Sequence, residues 1–232
     1  MAGVSRRQYA NEMRLIRVMC SGRVDLEFIL RAFTKGLDGV FVGGCEFGGC
    51  NYITHGNYDA LANVYICKKI MSRIGLNPDR LRLQFMSGAD GDLLAEVNDS
   101  FSKDIKAIGP LGRGEGEDGD LSTLMLKLEA AKLLVPYLRL VERERLRIPV
   151  KSEEAYVSFY TSPQFDALFD ELVGSKLAME QIALLLKKGA LSTADIAGKL
   201  GLTPSEVSKY VNSASRYGFV KYDTDQSRYA LA

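Results

Sequence analysis

The chain has 232 residues, enough for one large or two small domains, and 47% of them are apolar, enough for a packed core. Its 30 basic and 29 acidic side chains nearly cancel, which excludes a whole-chain polyanion binder and an acidic tail. No apolar run approaches the roughly 18–20 residues of a membrane span, and the opening MAGVSRRQYANEMR lacks the apolar core of a secretory signal, so a soluble, cytoplasmic protein is expected.

The first hundred residues alternate in period. Leu15–Met19 (LIRVM) reads as a short strand ending at Cys20-Ser21-Gly22. Asp25–Lys35 follows a helical period, with Leu26, Ile29, Leu30 and Phe33 on one face and Gly36 as its stop. Val40–Val42 is the next apolar run and ends at Gly43-Gly44-Cys45. A helix over Tyr58–Ile74 closes at Gly75 and Pro78. Leu81–Phe85 reads as a strand and Gly91–Ile108 as a helix. Strand and helix in alternation with short connections predict an α/β domain with a small parallel sheet over residues 1–110.

Gly109 to Gly116 holds four glycines and a proline in eight residues, which cannot sustain a helix, and the domain boundary is placed there. An α-rich connector is expected over 111–175. It comprises a helix over Leu121–Arg147 broken or kinked at Pro136, a short strand at Tyr156–Tyr160, and a short helix over Gln164–Val173. From 176 to 232 the signals are sharper. Met179–Lys188 is helical and ends at Gly189. Ser192 caps Thr193–Leu200, and Gly201 turns the chain. Thr203-Pro204-Ser205-Glu206 is a capping box with proline at the first helical position. The helix that follows should bury Val207, Tyr210, Val211, Ala214 and Tyr217 and stop at Gly218. Phe219–Tyr222 and Arg228–Leu231 flank a turn at Asp223-Thr224-Asp225-Gln226-Ser227. Three helices and a hairpin predict a winged helix-turn-helix.

Three of the four cysteines fall within Cys20–Cys50. In a reducing compartment disulfides are rare, and clustered cysteines read as metal or redox sites. Cys20 and Cys45 each follow an expected parallel strand, and ligands of open α/β sheets sit beyond the strand carboxyl ends. Cys50 follows Cys45 after Glu46-Phe47-Gly48-Gly49, whose glycines let backbone wrap closely around a bound group. The alternatives are a zinc site, which lacks its usual Cys-x-x-Cys pairs here, and three separately buried core thiols. Cys67 lies mid-helix in line with Val64, Met71 and Ile74 and reads as core. His55, the one histidine, reads as a loop residue. With one histidine there is no hydrolytic triad and no histidine-based zinc enzyme, and the glycine pairs match neither a dinucleotide fingerprint nor a Walker loop. No catalytic residues are assigned.

Arg17-Val18-Met19-Cys20-Ser21-Gly22-Arg23-Val24-Asp25, Gly39 through Cys50, and Gly56-Asn57-Tyr58 carry a resemblance to the delta subunit of methyl-viologen-reducing hydrogenase, over about residues 2–110. The resemblance implies a flavodoxin- or Rossmann-like domain and a two-iron, two-sulfur (2Fe-2S) cluster on Cys20, Cys45 and Cys50. It also implies electron relay from a hydrogenase or formate dehydrogenase to a heterodisulfide-reductase-like flavoprotein. Members carry a further strand and a cysteine-rich segment ahead of Ala2. Hence the expectations that Met1 is internal to a longer protein, that the first strand is missing here, and that a fourth cluster ligand comes from outside these 232 residues. Where relatives tend to have histidines, this sequence has Glu46 and Asn51.

The tail opens a rival reading, a cluster-sensing DNA-binding regulator. Ser205, Ser208, Lys209, Asn212 and Arg216 share an exposed stripe suited to base and phosphate contacts. From Lys176 onward there are only eight basic against five acidic residues, a weaker footprint than DNA modules show, and Asp223 and Asp225 sit where phosphate would approach. Docking of a partner protein is the other role for this region.

Overall fold

Asp25 starts the first regular helix: its carboxylate accepts the Glu27 amide at 2.8 Å, and α1 runs Leu26–Thr34. Its apolar face, Leu26, Ile29, Leu30 and Phe33, is buried. The chain then forms β1 (Val40–Cys45), α2 (Gly56–Ile74), β2 (Leu81–Met86) and α3 (Gly91–Ile108). The computed structural model describes residues 8, 10–114, 120–224 and 226–232. β1 and β2 pair in parallel from Val40↔Leu81 to Cys45↔Met86. Gly75 ends α2 in the left-handed region, φ 78°. Arg80 is fully buried and donates to the carbonyls of Asp38 (2.9 Å) and Pro110 (3.0 Å), which ties the approach to β1 to the segment leaving α3.

Two sequence expectations fail in this region. Leu15–Met19 is not a strand. It is irregular, and Leu15, Ile16 and Met19 are each more than four-fifths exposed. An apolar, β-branched run becomes a strand only where a neighbour completes its ladder, and among the described residues this sheet has two strands, β1 and β2. The second failure is Tyr156–Tyr160, which is helical within α6, Glu153–Tyr160. Ser152 caps that helix by accepting the Ala155 amide at 3.1 Å, and Glu153 and Glu154 occupy its first turn. Tyr156 and Tyr160 are buried one helical turn apart, and Tyr160 stacks on Tyr65 of α2 at 5.6 Å.

The chain divides into two units, Met1–Leu121 with Ile148–Ser162, and Ser122–Arg147 with Pro163–Ala232. The span expected as one connector thus contributes to both. In the second unit the long helix breaks at Leu134 into α4 (Leu121–Leu133) and α5 (Val135–Glu144), with Pro136 in the first turn of α5. After α7 (Pro163–Phe169) a π-helical turn, Asp170–Gly174, runs directly into α8 (Ser175–Leu186).

Capping boxes at Ser192 and Thr203 start α9 (Thr193–Leu200) and α10 (Pro204–Arg216), and β3 (Val220–Asp223) pairs antiparallel with β4 (Arg228–Leu231). Leu191 adds a bridge to Tyr229, with amide-to-carbonyl bonds in both directions. Val207, Val211, Ala214, Ile196, Leu200, Ile182 and Val220 share one core, with Tyr210 packed partly against it. Tyr217 is not part of it: it is 72% exposed, because α10 ends at Arg216 and Gly218 turns the chain away. Glu115 and Gly116 of the glycine linker, and Asp225 of the hairpin turn, lie outside the described residues.

The protein is therefore mixed α/β, mostly helical, with a small parallel sheet. No described helix is long and apolar enough to cross a membrane.

Candidate metal centre

The three clustered cysteines arrive by three routes. Cys20 precedes a single 3-10 turn, Ser21–Arg23, closed by the Arg23 amide donating to the Cys20 carbonyl at 3.0 Å. It is therefore presented by a tight turn and not by the tip of a strand. Cys45 is the last residue of β1. Cys50 lies in the loop between β1 and α2, its thiol donating to the Tyr52 carbonyl at 3.7 Å.

The first residue of α2 draws two of these routes together. A methyl group built on Gly56 would overlap the Cys50 Sγ and would lie 3.6 Å from the Cys20 Sγ. Both sulfurs therefore face the same point, at the amino end of a 19-residue helix whose first amides have no partner within the helix. Gly56 has φ 23°, a region that disfavours any side chain. Two more glycines make the approach close. A Cβ on Gly22 would meet the Gly56 carbonyl oxygen at 2.8 Å, and one on Gly44 would meet the Ser21 Oγ at 2.7 Å. The Cys20 turn is thus wedged between the start of α2 and the end of β1.

Cys45 is held differently. Its side chain is exposed, while its carbonyl accepts a hydrogen bond from the Asn57 side-chain amide. Among the described residues no three histidine, cysteine or acidic side chains stand together as a formed metal cage. Cys20 and Cys50 are gathered, and Cys45 stands at the adjoining strand end.

The remaining candidates separate cleanly. Cys67 is fully buried in α2, and burial pushes its thiol well above the ordinary range, as expected of a core residue. His55 precedes α2, is 72% exposed at its side chain, and lies 3.6 Å from Asp59. In the sequence, Gly56-Asn57 stands out only as a pattern. That two sulfurs face the space a side chain at Gly56 would fill is not visible there, because it depends on a turn more than thirty residues earlier in the chain.

The family model described as methyl-viologen-reducing hydrogenase, delta subunit, matches residues 1–109, the stretch that contains all three clustered cysteines. This stretch is 44% identical over 110 positions to the iron-sulfur subunit of the F420-non-reducing hydrogenase of Archaeoglobus profundus, covering 47% of this chain and 80% of that protein. The chain belongs to the hydrogenase delta-subunit family. Another relative of this type, the vhu iron-sulfur subunit of the F420-non-reducing hydrogenase of Methanocaldococcus jannaschii, is 36% identical over 110 residues, 47% of this chain and 81% of its own length. A third relative is of another kind. It is one of the subunits of the ferredoxin/F(420)H(2)-dependent CoB-CoM heterodisulfide reductase of Methanosarcina acetivorans, 44% identical over 112 residues, 48% of this chain. The match spans only 14% of that reductase protein. The delta-subunit likeness ends near the glycine linker, and residues 110–232 lie outside the family match.

Proposed function

We propose that the chain is an iron–sulfur electron-transfer subunit, with a 2Fe-2S cluster on Cys20, Cys45 and Cys50, which relays electrons between a hydrogenase and a heterodisulfide-reductase-like flavoprotein. One observation carries the reading. The same stretch of about 110 residues has relatives named as a separate hydrogenase component and a relative in which it is one segment of a much longer reductase chain. A module that is free in one system and covalently part of the reductase in another belongs at the contact between the two. The relatives named above are components of hydrogenases and of a reductase, so hydrogenase is favoured over formate dehydrogenase as the donor.

The residues suit such a group. Thiolates are the soft donors that iron–sulfur clusters take. The Cys20 and Cys50 sulfurs face the bare Cα of Gly56, where a side chain would fill the space between them. The amino end of α2 favours negative charge at that point. Three thiolates leave one cluster position for a donor beyond these three. When bound, the cluster would take up and release single electrons. The chain's own part is to hold the thiolates, to set them at the amino end of α2, and to keep side chains out of the cradle. No acid–base pair is needed, and none is assigned.

Residues 176–232, within the second unit, are read as a winged helix that docks a partner protein. Three helices, the α10 capping box and a hairpin extended by the Leu191–Tyr229 bridge support the winged-helix reading. Tyr217, Phe219 and Tyr222 are at least half exposed around the hairpin, the side-chain type enriched in protein interfaces. Asp223 stands at the wing.

Anaerobic affinity purification from the native host tests the reading. Recovery of hydrogenase and flavoprotein reductase subunits, with cluster reduction by hydrogen in the recovered complex, is the expected outcome. Recovery of the chain without either, together with salt-sensitive retention on duplex DNA, would instead establish the regulator.

A further inference from the structure

Two buried asparagines of α2 reach back to the backbone beside two of the cysteines. Asn57, 3% exposed, donates its side-chain Nδ2 to the carbonyl of Cys45. Asn63, 7% exposed, donates its Nδ2 to the carbonyl of Val24 at 3.3 Å, just past the turn that presents Cys20. A buried amide in a helix costs desolvation and is compensated only by the bond it makes. Both bonds need a short side chain with an N–H donor. Aspartate has the same length but only accepts, and glutamine is one methylene longer. Neither bond contributes to a helix or strand ladder. Each ties α2 to one cysteine-bearing segment.

We propose that Asn57 and Asn63 are positioning residues of the cysteine centre: Asn57 fixes the Cys45 end of β1, and Asn63 fixes the Cys20 turn. With Gly56 in contact with the Cys50 sulfur, one helix then sets all three cysteines in a common frame. This inference rests on the iron–sulfur reading above. The division of labour gives it a specific consequence. Cys45 is exposed and its carbonyl accepts from Asn57, so Asn57 fixes the strand end that carries the Cys45 thiol. The Cys20 turn is also wedged at Gly22 and Gly44, and Asn63 ties its outgoing end, at Val24, to α2.

The test compares wild type, Asn57→Ala and Asn63→Ala, each loaded anaerobically with ferrous iron and sulfide. Alkylation of each cysteine by iodoacetamide is followed by peptide mass spectrometry, alongside iron affinity and the midpoint potential. In wild type all three thiols should be protected. Asn57→Ala should expose Cys45 selectively and Asn63→Ala should expose Cys20 selectively, each weakening iron binding by about 10–100-fold, as loss of an outer-shell partner does, and each shifting the potential. Asn57→Asp and Asn63→Asp should reproduce these patterns and serve if an alanine variant does not fold. Equal deprotection of all three cysteines in step with loss of far-ultraviolet helix signal would reduce the asparagines to general structural roles and overturn the inference. Unchanged protection and potential in loaded variants would overturn it while leaving the cluster reading intact. Wild type that takes up no iron would overturn both.

Discussion

Gly56 shows how much of the site depends on a missing atom. Its φ of 23° disfavours a side chain, and a Cβ would collide with the Cys50 sulfur. Gly56→Ala should therefore cost about 1–3 kcal/mol of stability through overpacking and strain. It should also lower bound iron and sulfide per chain by more than half, as checked by metal analysis beside denaturant melts. Cys67 tests the opposite role. Cys67→Ala should leave the visible absorbance unchanged and cost about 1–2 kcal/mol as a small cavity. Its raised thiol pKa adds a pH signature. An unfolded thiol ionises near about pH 8.5 while the buried one stays protonated, so the unfolded state binds fewer protons above that pH. Stability should then fall by about 1.4 kcal/mol per pH unit above roughly pH 8.5, and Cys67→Ala should flatten that slope in pH-dependent melts. Cys67 was legible in the sequence, since helical spacing to Val64 and Met71 places it inward. Gly56 and Asn57 were not, because their roles come from contacts with segments distant in sequence.

At the scale of elements, local signals suffice where a helix carries its own start and stop. Ser192 before α9 and Thr203 before α10 cap as the sequence predicts, whereas Asp25, expected inside the first helix, is the cap of α1. Thr203→Ala should lower the stability of the C-terminal unit by about 1 kcal/mol without changing cysteine-centred absorbance, as measured by thermal melts followed by far-ultraviolet circular dichroism and in the visible range. Where an element depends on a neighbour, the sequence misled. Leu15–Met19 has strand composition but no ladder partner among the described residues, and its apolar side chains face solvent. Tyr156–Tyr160 has aromatic content suited to a strand, yet Ser152 and two glutamates begin a helix there, and the tyrosines pack one turn apart. The Cys20 turn follows from the first of these failures. Its thiol faces the same point on Gly56 as that of Cys50 because of close glycine approaches to α2, not because of neighbouring strand tips.

For the whole molecule, two units of unlike character share one chain. The first carries the delta-subunit likeness and the cysteines; the second shares neither. If the second unit docks a partner, replacing Tyr217 and Phe219 together by serine should reduce recovery of that partner in the anaerobic purification by at least about tenfold while leaving bound iron unchanged, since exposed aromatic anchors carry much of an interface's energy. Equal recovery would move the docking surface elsewhere.

The proposed electron transfer depends most on thiolates gathered around iron and sulfide at the start of α2. Quantifying iron and acid-labile sulfide in anaerobically purified protein, beside the single variants Cys20→Ala, Cys45→Ala and Cys50→Ala, tests it directly. The prediction is about two of each per wild-type chain, with loss of the visible charge-transfer bands in every variant. Wild type free of iron and sulfide, or colour retained after any one of the three replacements, would contradict it.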